Sequence, residues 1–258
     1  MTTALLIKSK EGIVLASDSQ GTASKIKLTM KKIYKINSHL GVAASGDSSQ
    51  IELLVQELEQ NFPNQIESES EFKTRMYSCM VNLHRVYNIN HSFLCGYGNV
   101  RLFFTPFSLV AGIPRIGDSF IYRMGFGTMG RNNEISPYLY KITGDFTSIG
   151  SGSAYARLVL LQQERLYSSV NLKLSDLSID HNVGISIYVI NEVKQLDLET
   201  GGKIQVAIVG RDGYKNLSCE EQTQCYNVMT DNLLTSLNDN FLDKDKSIKV
   251  IRSIFPYE

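Results

Sequence analysis

The chain opens Thr2-Thr3-Ala4-Leu5-Leu6-Ile7-Lys8-Ser9-Lys10-Glu11-Gly12-Ile13-Val14-Leu15-Ala16-Ser17-Asp18-Ser19-Gln20-Gly21-Thr22, and the reading of the fold turns on this stretch. Ala4 to Ile7 and Ile13 to Ala16 are short apolar runs on either side of the turn-forming Lys10-Glu11-Gly12, which predicts a β-hairpin at the start. A second pair follows, Lys32 to Ile36 and Leu40 to Ala44, divided by Asn37-Ser38-His39. The segment between the hairpins, Gly21 to Lys27, reads as a polar loop. The period then changes. Ile51, Leu54, Val55 and Leu58 recur at helical spacing behind the N-cap candidates Asp47, Ser48 and Ser49, predicting a helix from Ser48 to Asn61 that stops before Pro63. Phe72, Met76, Met80, Leu83 and Val86 mark a second helix.

Further along, Phe107 to Gly112 and Tyr138 to Ile142 read as strands around a Gly-rich segment, Arg115 to Ser136, expected to be an extended hairpin or insertion. Helical spacing resumes from Ala154 and again from Ile179 to Val193, and Lys203 to Val209 with the Arg211-Asp212-Gly213 turn predicts a closing hairpin. Strands followed by a helix pair, twice over, point to an α+β protein in which two antiparallel sheets stack with helices outside each, a four-layer αββα sandwich. The expected organisation is one domain over residues 1–218, with an extended or inserted segment near 92–136, and a helical extension and tail over 219–258.

Composition sets limits. The 258 residues are 43% apolar, enough for a large core. Lys plus Arg and Asp plus Glu both total 26, so there is no net field to draw nucleic acid or an anionic membrane. Cys79, Cys95, Cys219 and Cys225 lack C-x-x-C spacing, and the four histidines lack H-x-x-x-H or H-E-x-x-H spacing, so neither a zinc site nor any other metal or cofactor is expected. Gly125-Phe126-Gly127-Thr128-Met129-Gly130 satisfies G-x-G-x-x-G but precedes no apolar helix and follows no βαβ unit, and it reads as a flexible turn. The longest apolar stretch, Leu102 to Ile113, is too short for a membrane span, and no signal-peptide pattern opens the chain, so a cytoplasmic protein is expected.

The chemistry lies in five motifs. Thr2 follows a start methionine whose removal would leave an N-terminal threonine, a hydroxyl beside an α-amine whose reference pKa is about 7.7–8.0, so that the residue carries its own base. Sixteen residues later stands Asp18, in Asp18-Ser19-Gln20-Gly21-Thr22. Then come Thr29-Met30-Lys31-Lys32-Ile33-Tyr34 with Gly41-Val42-Ala43-Ala44-Ser45-Gly46, followed by Ile149-Gly150-Ser151-Gly152-Ser153 and Asp197-Leu198-Glu199-Thr200-Gly201-Gly202. In this order they resemble the N-terminal-threonine peptidases of the proteasome β-subunit and HslV type, with Gln20 closer to the HslV pattern. The resemblance covers residues 2–62 and 138–213.

That resemblance implies the Ntn-hydrolase fold, assembly into a homo-oligomeric ring or related particle, and cleavage of a peptide or unfolded protein; any ATPase unfoldase that serves it would be a separate chain, since no nucleotide-binding loop is present. It implies Thr2 as nucleophile, Lys32 as the cation beside it, Asp18 as the anchor of Lys32, and Ser151, Asp197 and Thr200 around the amine, Thr200 standing where serine is usual. It places the backbone of Ser45 at the oxyanion, Gly21 and Thr22 along the substrate main chain, and Met30, Ala43 and Asp47 around the side chain before the cleaved bond. Simpler readings compete: a surface ion pair for Asp18 and Lys32, and helix capping for Ser151 and Asp47. Two alternative functions stand beside the peptidase, a catalytically silent structural subunit and a ligase or transpeptidase in which an amine resolves the acyl-enzyme.

Overall fold

A computed structural model describes residues 2–23, 26–86, 106–129 and 134–240. Strands β1 (Thr3–Lys8) and β2 (Gly12–Asp18) form the first hairpin. They pair outward with β10 (Phe146–Gly150) and β11 (Ile204–Gly210), the latter carrying β12 (Gly213–Asn216), so one sheet runs β10-β1-β2-β11-β12. The other runs β5-β6-β7-β8-β9, from β5 (Ile33–Asn37), β6 (Leu40–Ser45), β7 (Phe107–Gly112), β8 (Phe120–Met129) and β9 (Glu134–Lys141). All described pairings in both sheets are antiparallel.

Helices cover the outer faces. On one side α1 (Ser48–Asn61) and α2 (Glu69–Leu83) pack through Leu54, Leu58, Phe72 and Met76 onto Val42, Val110 and Tyr122 of the second sheet. On the other, α3 (Ser153–Ser168), α4 (Ile179–Leu196) and α5 (Cys219–Asn240) pack onto Leu5, Ile7, Val14 and Ala16 of the first. Between the sheets lies a third apolar layer, including Ala4, Leu6, Ile13, Leu15, Ile33, Ala43, Leu109 and Val209. This is the αββα sandwich expected. β1 sends Leu5 and Ile7 to the helices and Ala4 and Leu6 to the other sheet, which is why its sequence is a continuous apolar run rather than an alternating one.

The boundaries of α1 match the periodicity. Asp47 accepts from the amides of Ser49 and Gln50, satisfying donors the first turn leaves open. Four expectations differ from the structure. The polar loop after Gly21 is a hairpin of β3 (Gln20–Ala23) and β4 (Ile26–Thr29), whose polar sequence reflects exposure of β4 on both faces. Residues 120–129 are a strand of the sheet that pairs with β9, so the insertion reading of Arg115 to Ser136 fails while its alternative, an extended hairpin, holds, with Phe120, Ile121, Tyr122, Met124 and Phe126 buried. Gly125 and Gly127 therefore lie in β8 rather than a turn, and a side chain at Gly125 would strike the ring of Tyr138 on β9. Finally, α5 belongs to the core, because Met229 is fully buried against Gly184 of α4. The expectations for residues 92–105, Gly130 and the tail after 240 lie outside the described residues. Among the described residues no helix is long and apolar enough to cross a membrane.

Candidate active site

The start of β1, the end of β2 and the approach to β5 converge at one edge of the sandwich. Asp18, the last residue of β2, is fully buried, and its carboxylate accepts four donors: Lys32 Nζ at 2.7 Å and the amides of Thr3 at 2.9 Å, Gly201 at 3.0 Å and Gln20 at 3.1 Å. Lys32 Nζ also donates to the Gln20 carbonyl at 2.6 Å. The side chains of Lys32 and Asp18 are 4% and 0% exposed, so the competing reading of a surface ion pair is wrong. Burial lowers the pKa of Lys32 by more than the charge and hydrogen bond of Asp18 raise it. Lys32 is thus an ammonium that gives up its proton more readily than a solvated lysine. It sits just outside β5, because Met30 to Lys32 belong to no strand, whereas the expected strand began at Lys32 itself.

A cavity of about 450 Å³ opens at this point, lined by Thr2 and Lys32 together with Met30, Gly46, Asp47 and Ile51 among others. Thr2 is placed from behind by Gly150, where the chain takes φ +96° and passes so close to the Thr2 carbonyl that no β-carbon fits between them. On the other side, Ser151 Oγ lies 3.0 Å from Asp197 Oδ2 and 3.5 Å from the Thr2 carbonyl, and its single proton goes to the nearer carboxylate. Ser151 makes no side-chain cap on α3, whose N-cap is Gly152, so the capping reading of Ser151 fails. Thr200 Oγ1 donates to Asp197 Oδ2 at 2.7 Å and therefore accepts from Thr3 Oγ1 at 2.6 Å. Burial works against ionisation of Asp197, but the bonds from Thr200, the Glu199 amide and Ser151 outweigh it and hold the carboxyl below its usual range.

The six residues expected to carry the chemistry are thus brought together in two connected groups, Lys32 with Asp18 and Ser151 with Asp197 and Thr200, on either side of Thr2. The expected substrate residues divide. Gly21, Met30 and Asp47 line the cavity, with the thioether of Met30 packed against Gly21. Asp47 keeps both roles open to it, since it caps α1 and faces the cavity. Ala43 does not line it. It points into the layer between the sheets, and Ala44, one residue on, lines the cavity instead. Ser45, the last residue of β6, pairs with Phe107 of β7, and the cavity wall is Gly46, at φ +136°. The backbone of Thr22 pairs with Lys27 in the β3–β4 hairpin; its side chain lies outside the described residues. Sequence reasoning missed Thr3, whose amide and hydroxyl tie the start of β1 to both groups, and Gln205. The Thr-Thr doublet was the available signal for Thr3; nothing local marked Gln205. Among the described residues no cluster of His, Cys, Asp and Glu could hold a metal ion.

A four-layer αββα sandwich with a threonine at the start of its first strand defines the Ntn-hydrolase class of fold. More narrowly, a model of the proteasome subunit matches residues 2–209, and the chain belongs to that family. The match runs through the central strands that the motif resemblance had left out. The chain is 25% identical over 229 residues to proteasome subunit beta 1 of Thermococcus kodakarensis, covering 85% of this chain and 94% of that one. Against proteasome subunit beta 2 of Pyrococcus furiosus it is 26% identical over 223 residues, 83% and 89% of the two chains. Against proteasome subunit alpha of Methanobrevibacter smithii it is 25% identical over 232 residues, 85% and 78%.

Proposed function

We propose that this proteasome-like subunit is a threonine-type peptidase whose nucleophile is Thr2, exposed by removal of Met1. The observation that carries this reading is the buried Lys32–Asp18 pair opening onto the same cavity as Thr2. Burying two charges costs several kcal/mol each before their attraction and hydrogen bonds offset it, and a silent scaffold has no use for such an expense at a cavity wall. Thr3 is unsuited to the role, because it is fully buried and its hydroxyl is committed to Thr200.

In this mechanism Thr2 Oγ attacks the scissile carbonyl carbon as its proton passes to the α-amine, with Lys32 lowering the cost of the charge that develops. The amine then protonates the departing amine of the substrate and an acyl ester remains. Water attacks the ester, gives its proton to the α-amine, and the ester oxygen takes it back as the acid product leaves. The backbone N–H at Gly46, which borders the cavity, is assigned to the oxyanion in place of Ser45. Ser151, Asp197 and Thr200 hold the start of β1 and orient the amine. An extended peptide or unfolded protein would pair along β3 beside Gly21. Assembly into a homo-oligomeric ring, a cytoplasmic setting and delivery by a separate ATPase follow from the same reading.

The test is intact mass before and after an epoxyketone or β-lactone, with peptide mapping of the N-terminus. Loss of Met1 and an adduct on Thr2, absent in Thr2→Ala, is the expected result. A retained Met1, or a free Thr2 that never reacts, makes the chain a structural subunit. If it reacts, product analysis with an added amine nucleophile separates hydrolysis from peptide ligation.

A further inference from the structure

Lys32 reaches the cavity at the end of an irregular segment. β4 stops at Thr29 and β5 begins at Ile33, so Met30, Lys31 and Lys32 have no strand ladder to satisfy their backbone. Lys32 is only 3% exposed, so its peptide groups need protein partners. Two partners come from neighbouring backbone: Met30 N donates to the Ser19 carbonyl at 2.8 Å, and the Lys32 carbonyl accepts from Ala44 N at 2.9 Å. The other two groups, the Met30 carbonyl and the Lys32 N–H, both meet one side chain. Gln205 Nε2 donates to Met30 O at 2.5 Å, and Gln205 Oε1 accepts from Lys32 N at 3.0 Å. A single carboxamide thus does what a neighbouring strand would do, presenting an acceptor and a donor to residues i and i+2.

The anchor of that carboxamide is also informative. Gln205 stands on β11 opposite Ser17 of β2, and its neighbour Ile204 stands opposite Asp18. The same two strands therefore fix the anion and, through Gln205, the segment that carries the cation. We infer that Gln205 is a positioning residue for Lys32, holding Met30 to Lys32 in the conformation that delivers the ammonium group to Asp18 and the Thr2 cavity. The inference rests on the reading of Thr2 and Lys32 as reacting machinery. Glutamate keeps the acceptor and loses the donor, and methionine keeps the length and loses both, so the pair grades the effect.

The experiment uses the full chain with Gln205→Met and Gln205→Glu. Two quantities are read: the rate of Thr2 modification by a β-lactone across pH, and the titration of Lys32 by carbon-13 NMR of lysine, its resonance assigned by its loss in Lys32→Arg. Displacing a reacting group by a fraction of an ångström to an ångström slows reaction steeply, so Gln205→Met is expected to react about tenfold more slowly or worse. Its Lys32 is expected to titrate closer to an ordinary lysine, and Gln205→Glu to fall between. General loss of stability lowers the melting temperature without moving that titration in the folded protein. Wild-type rate and wild-type Lys32 titration in Gln205→Met would overturn the inference. If unmodified protein does not react at all, the reading of Thr2 fails, and the titration still decides the role of Gln205. If Gln205→Met does not fold, Gln205→Glu carries both measurements, and wild-type values there overturn the inference as well.

Discussion

Gly150 and the carbonyl oxygen of Thr2 share the space that a β-carbon at position 150 would occupy. With φ +96°, the same residue turns the chain from β10 toward Ser151, so one glycine sets both the pose of Thr2 and the approach of the Ser151 hydroxyl. Gly150→Ala must strain the backbone and push Thr2 out of place. The expected outcome is a loss of about 1–3 kcal/mol from the strained φ alone, together with slower adduct formation at Thr2, read by urea denaturation and intact mass. A variant as stable and as reactive as the parent would show that Thr2 does not depend on this contact.

Asp18 serves four donors from one buried carboxylate, and one of them is a buried ammonium. Asp18→Asn leaves Lys32 charged and uncompensated, and the expected cost is about 3–5 kcal/mol with loss of reactivity at Thr2. Adding Lys32→Met to it removes the stranded charge. The double variant should regain part of the stability and none of the reactivity, and a double-mutant cycle of chemical denaturation measures the difference.

Thr200 passes the Thr3 hydroxyl's hydrogen bond on to Asp197. Thr200→Ser keeps that hydroxyl and should leave stability and reactivity near those of the parent. Thr200→Val keeps the shape, strands the Thr3 hydroxyl and removes a donor from Asp197. It should lose about 1–3 kcal/mol, measured by thermal unfolding. A larger loss from Thr200→Ser than from Thr200→Val would mean that the methyl group, not the hydroxyl, is what matters at this position.

His181 on α4 lies 2.5 Å from the hydroxyl of Tyr167 on α3, and burial lowers its pKa from 6.5 to about 4. Burial also raises the pKa of Tyr167, so the phenol keeps its proton and donates it to a neutral imidazole. The folded pKa is the depressed one, so between pH 6.5 and pH 4 the unfolded chain takes up a proton that the native chain refuses. Stability contributed by this residue is therefore lost as pH falls through that window and levels off below it, by as much as about 3 kcal/mol. His181→Gln, which can still accept from Tyr167, should flatten the loss in denaturation curves between pH 7 and pH 4. An unchanged slope would place the acid sensitivity elsewhere.

The strands, the helices and the residues gathered at the candidate site were largely legible in the sequence. Apolar runs and a change of period located β1, β2, β5, β6 and α1, and the cap at Asp47 was visible as a residue type in the right place. The order of the motifs named Thr2, Asp18, Lys32, Ser151, Asp197 and Thr200, all of which the fold gathers at one edge. What the sequence could not supply was the facing of residues within strands buried on both sides. In a half-exposed strand, alternation of polar and apolar residues reports which way each side chain points. β6, packed between a sheet and a helix pair, is apolar from Leu40 to Ala44, so nothing local separated Ala43 in the inter-sheet layer from Ala44 at the cavity. Strand β8 was obscured for a related reason, because the space that its Gly125 leaves is filled by Tyr138 from another strand. Gln205 lay beyond reach altogether, since its two bonds go to a segment 173 and 175 residues away. Short-range pattern records period and polarity, whereas pairings at that distance exist only once the sheets have stacked.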